Sequence, residues 1–130
     1  MNKTQTGIAF FIKQNYKSLT WAIIILIASL AHITPPDVLK DRLIPHSDKI
    51  IHVGIYAIFS FLLLWDNKKR KAINLHLLLA FLYGALMEIL QYLLTDYRSM
   101  EFDDVIANTI GVFTGLFFFN KLKNKNWLKL

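Results

Sequence analysis

Four apolar runs, roughly 19–34, 50–65, 73–94 and 105–119, stand between short charged segments, and they constrain this chain more than any other feature. Each approaches the ~20 residues a helix needs to cross about 30 Å of hydrocarbon. Three fall a few residues short, a deficit that interfacial Trp, Tyr and flanking polar residues can absorb. Strands are excluded, because the runs lack period-two alternation and are too few to close a barrel. Composition agrees: 55% hydrophobic residues, only 18% charged and a mean hydropathy of +0.39 are too apolar for an ordinary water-soluble domain of 130 residues. The reading is an all-α membrane protein, one domain over 1–130, built as a bundle of four transmembrane helices. With no Cys there is no disulfide, no thiolate metal site and no thiol nucleophile.

The opening stretch MNKTQTGIAFFIKQNYK does not read as a cleavable signal, since its apolar piece Ile8–Ile12 is short and no small-residue cleavage site follows the next run. It reads as a short interfacial segment leading into the first span. Basic residues set the orientation. Eleven of the fifteen Lys and Arg (Lys3, Lys13, Lys17, Lys68, Lys69, Arg70, Lys71, Lys121, Lys123, Lys125 and Lys129) fall on one side with a single acid, Asp66. The other side holds Lys40, Arg42, Lys49 and Arg98 with the remaining eight acids. Both termini and the 66–72 loop are therefore expected in the cytoplasm, with loops 35–49 and 95–104 extracytoplasmic, in a multi-pass protein of a bacterial inner membrane. A sequence pI of about 9.6 would suggest nucleic acid in a soluble protein, but here the basic clusters are topological anchors that suit anionic lipid, and no nucleic-acid partner is expected.

Polar residues inside the runs form stripes. Asp48, His52 and Tyr56 recur at i, i+4 and i+8 on the second run; Glu88 and Gln91 share a face of the third, beside Gly84 and Tyr92. On the fourth, Asp104, Asn108, Gly111 and Gly115 make a single stripe behind the acids Glu101 and Asp103. An ionised carboxylate against lipid costs about 2.5–3.5 kcal/mol or more, so these faces are expected to turn toward one another as an outward-facing polar pocket. Gly111 and Gly115 are a small-xxx-small pair suited to close helix packing, either within the bundle or in a dimer, with the internal contact favoured by the polar stripe beside them and the oligomeric state left open. Each stripe also has a plainer reading: Asp48 and Asp104 as helix N-terminal residues favoured by the macrodipole, Asn108 as an interhelical hydrogen bond. His32, His46 and His76 belong to no stripe and read as interfacial.

The ordered set Asp48-Lys49-Ile50-Ile51-His52 with Tyr56, then Glu88-Ile89-Leu90-Gln91, then Arg98 followed by Asp104-Val105-Ile106-Ala107-Asn108-Thr109-Ile110-Gly111 resembles the VanZ-like family of small bacterial membrane proteins, most strongly over 48–115. An extra acid, Asp103, directly precedes Asp104 and leaves two candidates for that family position. The resemblance implies a four-helix membrane protein, in a family named for a member associated with resistance to the glycopeptide teicoplanin. It implies no settled reaction.

The candidate site is thus Asp48, His52, Tyr56, Glu88, Gln91, Arg98, Asp103, Asp104 and Asn108, with Gly84, Gly111 and Gly115 as packing positions. The first reading is a non-enzymatic protein whose pocket binds a cell-envelope ligand, a lipid head group or glycopeptide-related molecule, and so alters envelope properties. The second is a small intramembrane enzyme acting on a lipid-linked substrate, with His52 and Glu88 as acid and base and Arg98 as anion clamp. The third treats the network as internal glue. No cofactor is expected. His52, Glu88 and Asp104 have the chemistry to hold a divalent cation, but ligands spread over three helices have no diagnostic spacing, so no metal is assigned; no His-Glu-x-x-His motif, phosphate loop or nucleophile elbow is present.

Overall fold

The structure is a computed structural model that describes residues 3–31, 47–68, 72–96 and 101–125. Its elements are four helices: α1 (Lys3–Leu30), α2 (Ser47–Asp66), α3 (Ile73–Leu94) and α4 (Phe102–Asn124), with no strand among the described residues. Three of them, α2, α3 and α4, are long and apolar enough to cross a membrane. Among the described residues, then, three of the four expected spans are long and apolar enough to cross, and α1 is not. Lys13 and Lys17 interrupt α1, and its backbone leaves helical geometry at Asn15 (φ −108°, ψ 18°). From Ser18 to Leu30 it rises only about 20 Å at 1.5 Å per residue, less than the hydrocarbon thickness.

The break at Asn15 has a local cause. A helix restarted there exposes fresh N–H groups, and the carboxylate of Asp66 at the end of α2 accepts from the Ser18 backbone N–H and from Ser18 Oγ–H, each at 2.9 Å. Asn15 Nδ2 donates to Phe11 O at 2.9 Å, and Asn67 Nδ2 donates both to Asn15 Oδ1 at 2.8 Å and to Leu63 O at 3.0 Å. The turn before the break is splayed away from the bundle, with Ile8, Phe10, Phe11 and Ile12 all exposed. An apolar exposed arm carrying lysines fits a helix lying at a membrane surface. Beyond the break, α1 runs along the bundle: Trp21 Nε1–H donates to Ile55 O at 3.0 Å, Tyr83 O–H donates to Ala22 O at 2.6 Å, and Gln91 Nε2–H reaches Ser29 O at 3.2 Å.

Contacts between the start of α2, the end of α3 and the start of α4 fix an up-down-up arrangement, as short connections demand. One end of the bundle gathers Asp48, Glu88, Glu101, Asp103 and Asp104; the other gathers Lys17, Lys68, Lys121, Lys123 and Lys125. At the basic end, aromatic rings receive the lysines: Lys17 lies 4.4 Å from the Tyr16 ring centroid and Lys68 5.6 Å from that of Trp65. The α4 helix carries acids in its first turn and lysines in its last, matching its dipole at both ends.

Glycines set the tightest seam, between α2 and α4. A Cβ on Gly111 would lie 2.5 Å from Val53 O and 2.9 Å from Tyr56 Cβ; one on Gly115 would overlap Ala57 O and stand 2.9 Å from Phe61 N. Ser60 Oγ–H then crosses the seam to Val112 O at 2.9 Å. The buried cluster is Ile25, Tyr56, Phe59, Ala80, Met87 and Val112, continued by Leu64 and Phe119. Meanwhile Leu75, Leu78, Leu82, Leu86, Phe113, Phe117 and Phe118 face outward and Asn108, Gln91 and Glu88 face inward. A surface this apolar around a polar interior suits lipid as the solvent.

Candidate functional site

Three helices carry one polar residue each to a common point. His52 stands on the second turn of α2, Glu88 near the end of α3 and Asn108 on the second turn of α4. Glycine makes this convergence fit: the space a Cβ would take at Gly84 is bounded by Tyr56 Cε1 at 3.1 Å and Asn108 Cβ at 3.4 Å. Tyr56 is the floor, 3% exposed, its ring edge-on to Phe59 at 6.4 Å between centroids.

The bonds among the three are directional. Asn108 Nδ2–H donates to Glu88 Oε1 at 3.0 Å, and His52 Nδ1 lies 2.8 Å from Asn108 Oδ1 and 3.6 Å from Glu88 Oε1. A carboxylate only accepts, so the Asn108 amide nitrogen faces Glu88, its oxygen faces His52, and the ring donates from Nδ1. The neutral imidazole then keeps its lone pair on Nε2. Glu88 and Asn108 are buried and His52 is partly exposed, a path that opens toward the acidic end.

Above them sits a rim. Lys49 Nζ lies 3.1 Å from Asp48 Oδ2 and 2.5 Å from Glu101 Oε2, and it also contacts Asp104 Oδ1. Three carboxylates on one ammonium use all three of its donors. Asp48 and Glu101 are largely exposed, whereas Asp104 faces inward. Beside this rim a groove of about 370 Å³ opens between α2 and α4, lined by Lys49 and Asp103 at its polar end and by Ile50, Val53, Ile106, Ala107 and Ile110 along its length. Further along the same seam a second hollow of about 260 Å³ is lined by Ala57, Ile58, Phe61, Gly115 and Phe118.

Of the residues singled out by sequence, His52, Glu88 and Asn108 meet directly, Tyr56 packs beneath them, and Asp104 joins them through the rim. Asp48 points outward to Lys49 and does not continue the His52 face inward. Gln91 turns to α1 and bonds Ser29. Of the paired acids, Asp104 takes the inward place and Asp103 the groove. Arg98 lies outside the described residues, as do His32, His46 and most of the loops expected outside. His76, read as interfacial, is 7% exposed, its Nδ1 2.5 Å from the carbonyl of Ala72, the residue that precedes its own helix. Two residues were missed. Lys49 had one available signal, a basic residue directly beside Asp48 at the acidic end; Asp66, the sole acid on the basic side, had a comparable signal in reverse.

The chain matches the family described as VanZ/LLP1 over residues 6–123. It is also 31% identical over 71 residues to the protein named "Uncharacterized protein C11E3.10" of Schizosaccharomyces pombe, an overlap covering 52% of this chain and 43% of that one. The chain therefore spans less than half of that relative's length. No solved structure matches.

Proposed function

Starting from the fact that the chain belongs to the VanZ/LLP1 family and carries three helices able to cross a membrane, we propose that it is a membrane lipid-binding protein whose α2–α4 groove holds an amphiphile of the cell envelope. The observation that carries this reading is the groove's polarity: charged at the end that Lys49 and Asp103 line, hydrocarbon along Ile50, Val53, Ile106 and Ile110. That is the profile of a phospholipid lying against the bundle, head at the rim and acyl chain along the seam toward Ala57 and Phe118. Charge selects the head. Lys49 is engaged by three carboxylates, so the rim around it is net acidic among the described residues and Asp103 remains to face a cationic group. An amine-bearing zwitterionic head group fits; an anionic one is repelled.

The distribution of Lys and Arg supports placing the acidic end outside the inner membrane of a bacterium and both termini inside. Single Cys residues introduced at positions 103 and 123 of this naturally Cys-free chain should label from outside and inside respectively. Any effect on glycopeptide susceptibility would act through the bound lipid. To test the site, the full chain is purified in mild detergent and its retained lipid identified by native mass spectrometry. Phosphatidylethanolamine should be retained over phosphatidylglycerol, and Ile110→Trp, which fills the groove, should weaken retention roughly tenfold, about 1.4 kcal/mol. Equal retention of both lipids, or retention untouched by Ile110→Trp, rules the groove out; conversion of the lipid to a new product would favour the enzymatic reading.

A further inference from the structure

Beneath the rim, a ring nitrogen of His52 and one carboxylate oxygen each of Glu88 and Asp104 lie within 4.8 Å of one another. We propose that these three residues form a binding site for a divalent transition-metal ion, with Zn²⁺ the best match. One imidazole and two carboxylates carry a formal charge of −2, which a dication neutralises. That balance matters most for Glu88, held at 2% exposure within a spanning helix. Mixed nitrogen and oxygen donors favour Zn²⁺ or Mn²⁺, whereas Mg²⁺ and Ca²⁺ select all-oxygen sets. A tetrahedral ion with bonds of about 2.1 Å spaces its ligands about 3.4 Å apart, so the trio needs to draw in by no more than about 1.4 Å. Side-chain rotation supplies that.

With Nε2 as the ligand atom, Asn108 would play toward His52 the part that a fixed acceptor plays toward a metal-bound histidine. Such an imidazole donates its other ring N–H to a fixed acceptor, which sets the tautomer and aims the remaining lone pair. Asn108 does this for His52 at 2.8 Å while holding Glu88 at 3.0 Å, so a single buried amide positions two ligands from different helices. A neighbouring trio, Asp48, Glu101 and Asp104, is equally close-set, but the Lys49 ammonium already sits among its oxygens. The two clusters share Asp104, whose Oδ1 Lys49 contacts, so an ion in the inner one takes Asp104 through its other oxygen or displaces the lysine from it; what sets the inner cluster apart is the imidazole and the buried Glu88. Three protein ligands leave a position on the ion for water or for a phosphate or carboxylate oxygen.

The test uses the full chain in detergent, free of any added histidine tag, stripped with chelator and titrated separately with Zn²⁺, Mn²⁺ and Mg²⁺. One Zn²⁺ per chain should be retained by elemental analysis, Mg²⁺ should not, and Co²⁺ substitution should give a visible ligand-field spectrum. Both His52→Gln and Glu88→Gln should weaken Zn²⁺ binding at least about tenfold, and Asn108→Ala by about 10- to 100-fold as a positioning residue. Asp48→Asn and His76→Gln should leave the affinity and the Co²⁺ spectrum unchanged. Helical circular dichroism of each variant separates loss of metal from loss of fold; if His52→Gln does not fold, Glu88→Gln decides alone. Absence of stoichiometric Zn²⁺, or Zn²⁺ affinity unchanged by Glu88→Gln or abolished by Asp48→Asn, overturns the assignment.

Discussion

The bundle buries a carboxylate at each end, and the two are treated differently. At the basic end the Asp66 side chain is fully buried, its oxygens taken by the Ser18 N–H and O–H at 2.9 Å and by Lys17 Nζ at 3.5 Å. Every one of those donors belongs to α1, and the carboxylate caps the helix that restarts after Asn15. At the acidic end Glu88 is held by the Asn108 amide and faced by His52, a ring whose lone pair can bind an ion. A buried acid is therefore not evidence of function by itself. What decides is whether its partners have one state or several.

The largest effect should come from the seam both ends share. Gly115→Leu would drive a side chain into the Ala57 carbonyl and the Phe61 backbone of α2, neither of which can move without unpacking the helix. A loss of at least about 3 kcal/mol is expected, read as failure to purify as a monodisperse species in detergent. Retained folding would mean that α2 and α4 do not approach as closely as described.

Next in size, Asp66→Ala should cost about 2 kcal/mol, the upper range for a lost helix cap, seen as a lower midpoint of thermal unfolding. Proteolysis of the arm before Asn15 should quicken in parallel. Glu88→Gln is the contrasting experiment: it keeps an acceptor for Asn108 and removes the charge, so stability should change by less than about 1 kcal/mol while metal binding weakens at least about tenfold. If Glu88→Gln instead destabilised the fold as much as Asp66→Ala, the two ends would be alike and the acidic one merely structural.

The smallest effect concerns Lys17. Burial works against its ammonium, but Tyr16 and Asp66 outweigh it, and the pKa stands above the ordinary 10.5. A raised pKa means the ion pair contributes fully below that value and fades as pH climbs through the higher folded one. Because the side chain is partly exposed, Lys17→Met should cost less than about 1 kcal/mol at pH 7 and nothing further in strong alkali. An equal difference between the two proteins at pH 7 and pH 12 would exclude the ion pair as its source.

The presence of four helices, the position of each apolar run and the partition of charge between the two ends were legible in the order of residues, because hydrocarbon length and backbone hydrogen bonding leave a lipid-facing chain few alternatives; that the first helix would break at Asn15 and fall short of a span was not. The inward turn of Glu88 and Asn108 was legible too, since lipid penalises both. What the sequence could not hold was the pairing across helices. That Asn108 bridges His52 and Glu88, that Lys49 fills the outer acids, that Asp104 rather than Asp103 turns inward, and that Asp66 of α2 caps the restarted part of α1 all depend on rotation and depth of one helix against another. Those are set by how closely backbones approach at Gly84, Gly111 and Gly115, a distance that packing decides and that no spacing along the chain encodes.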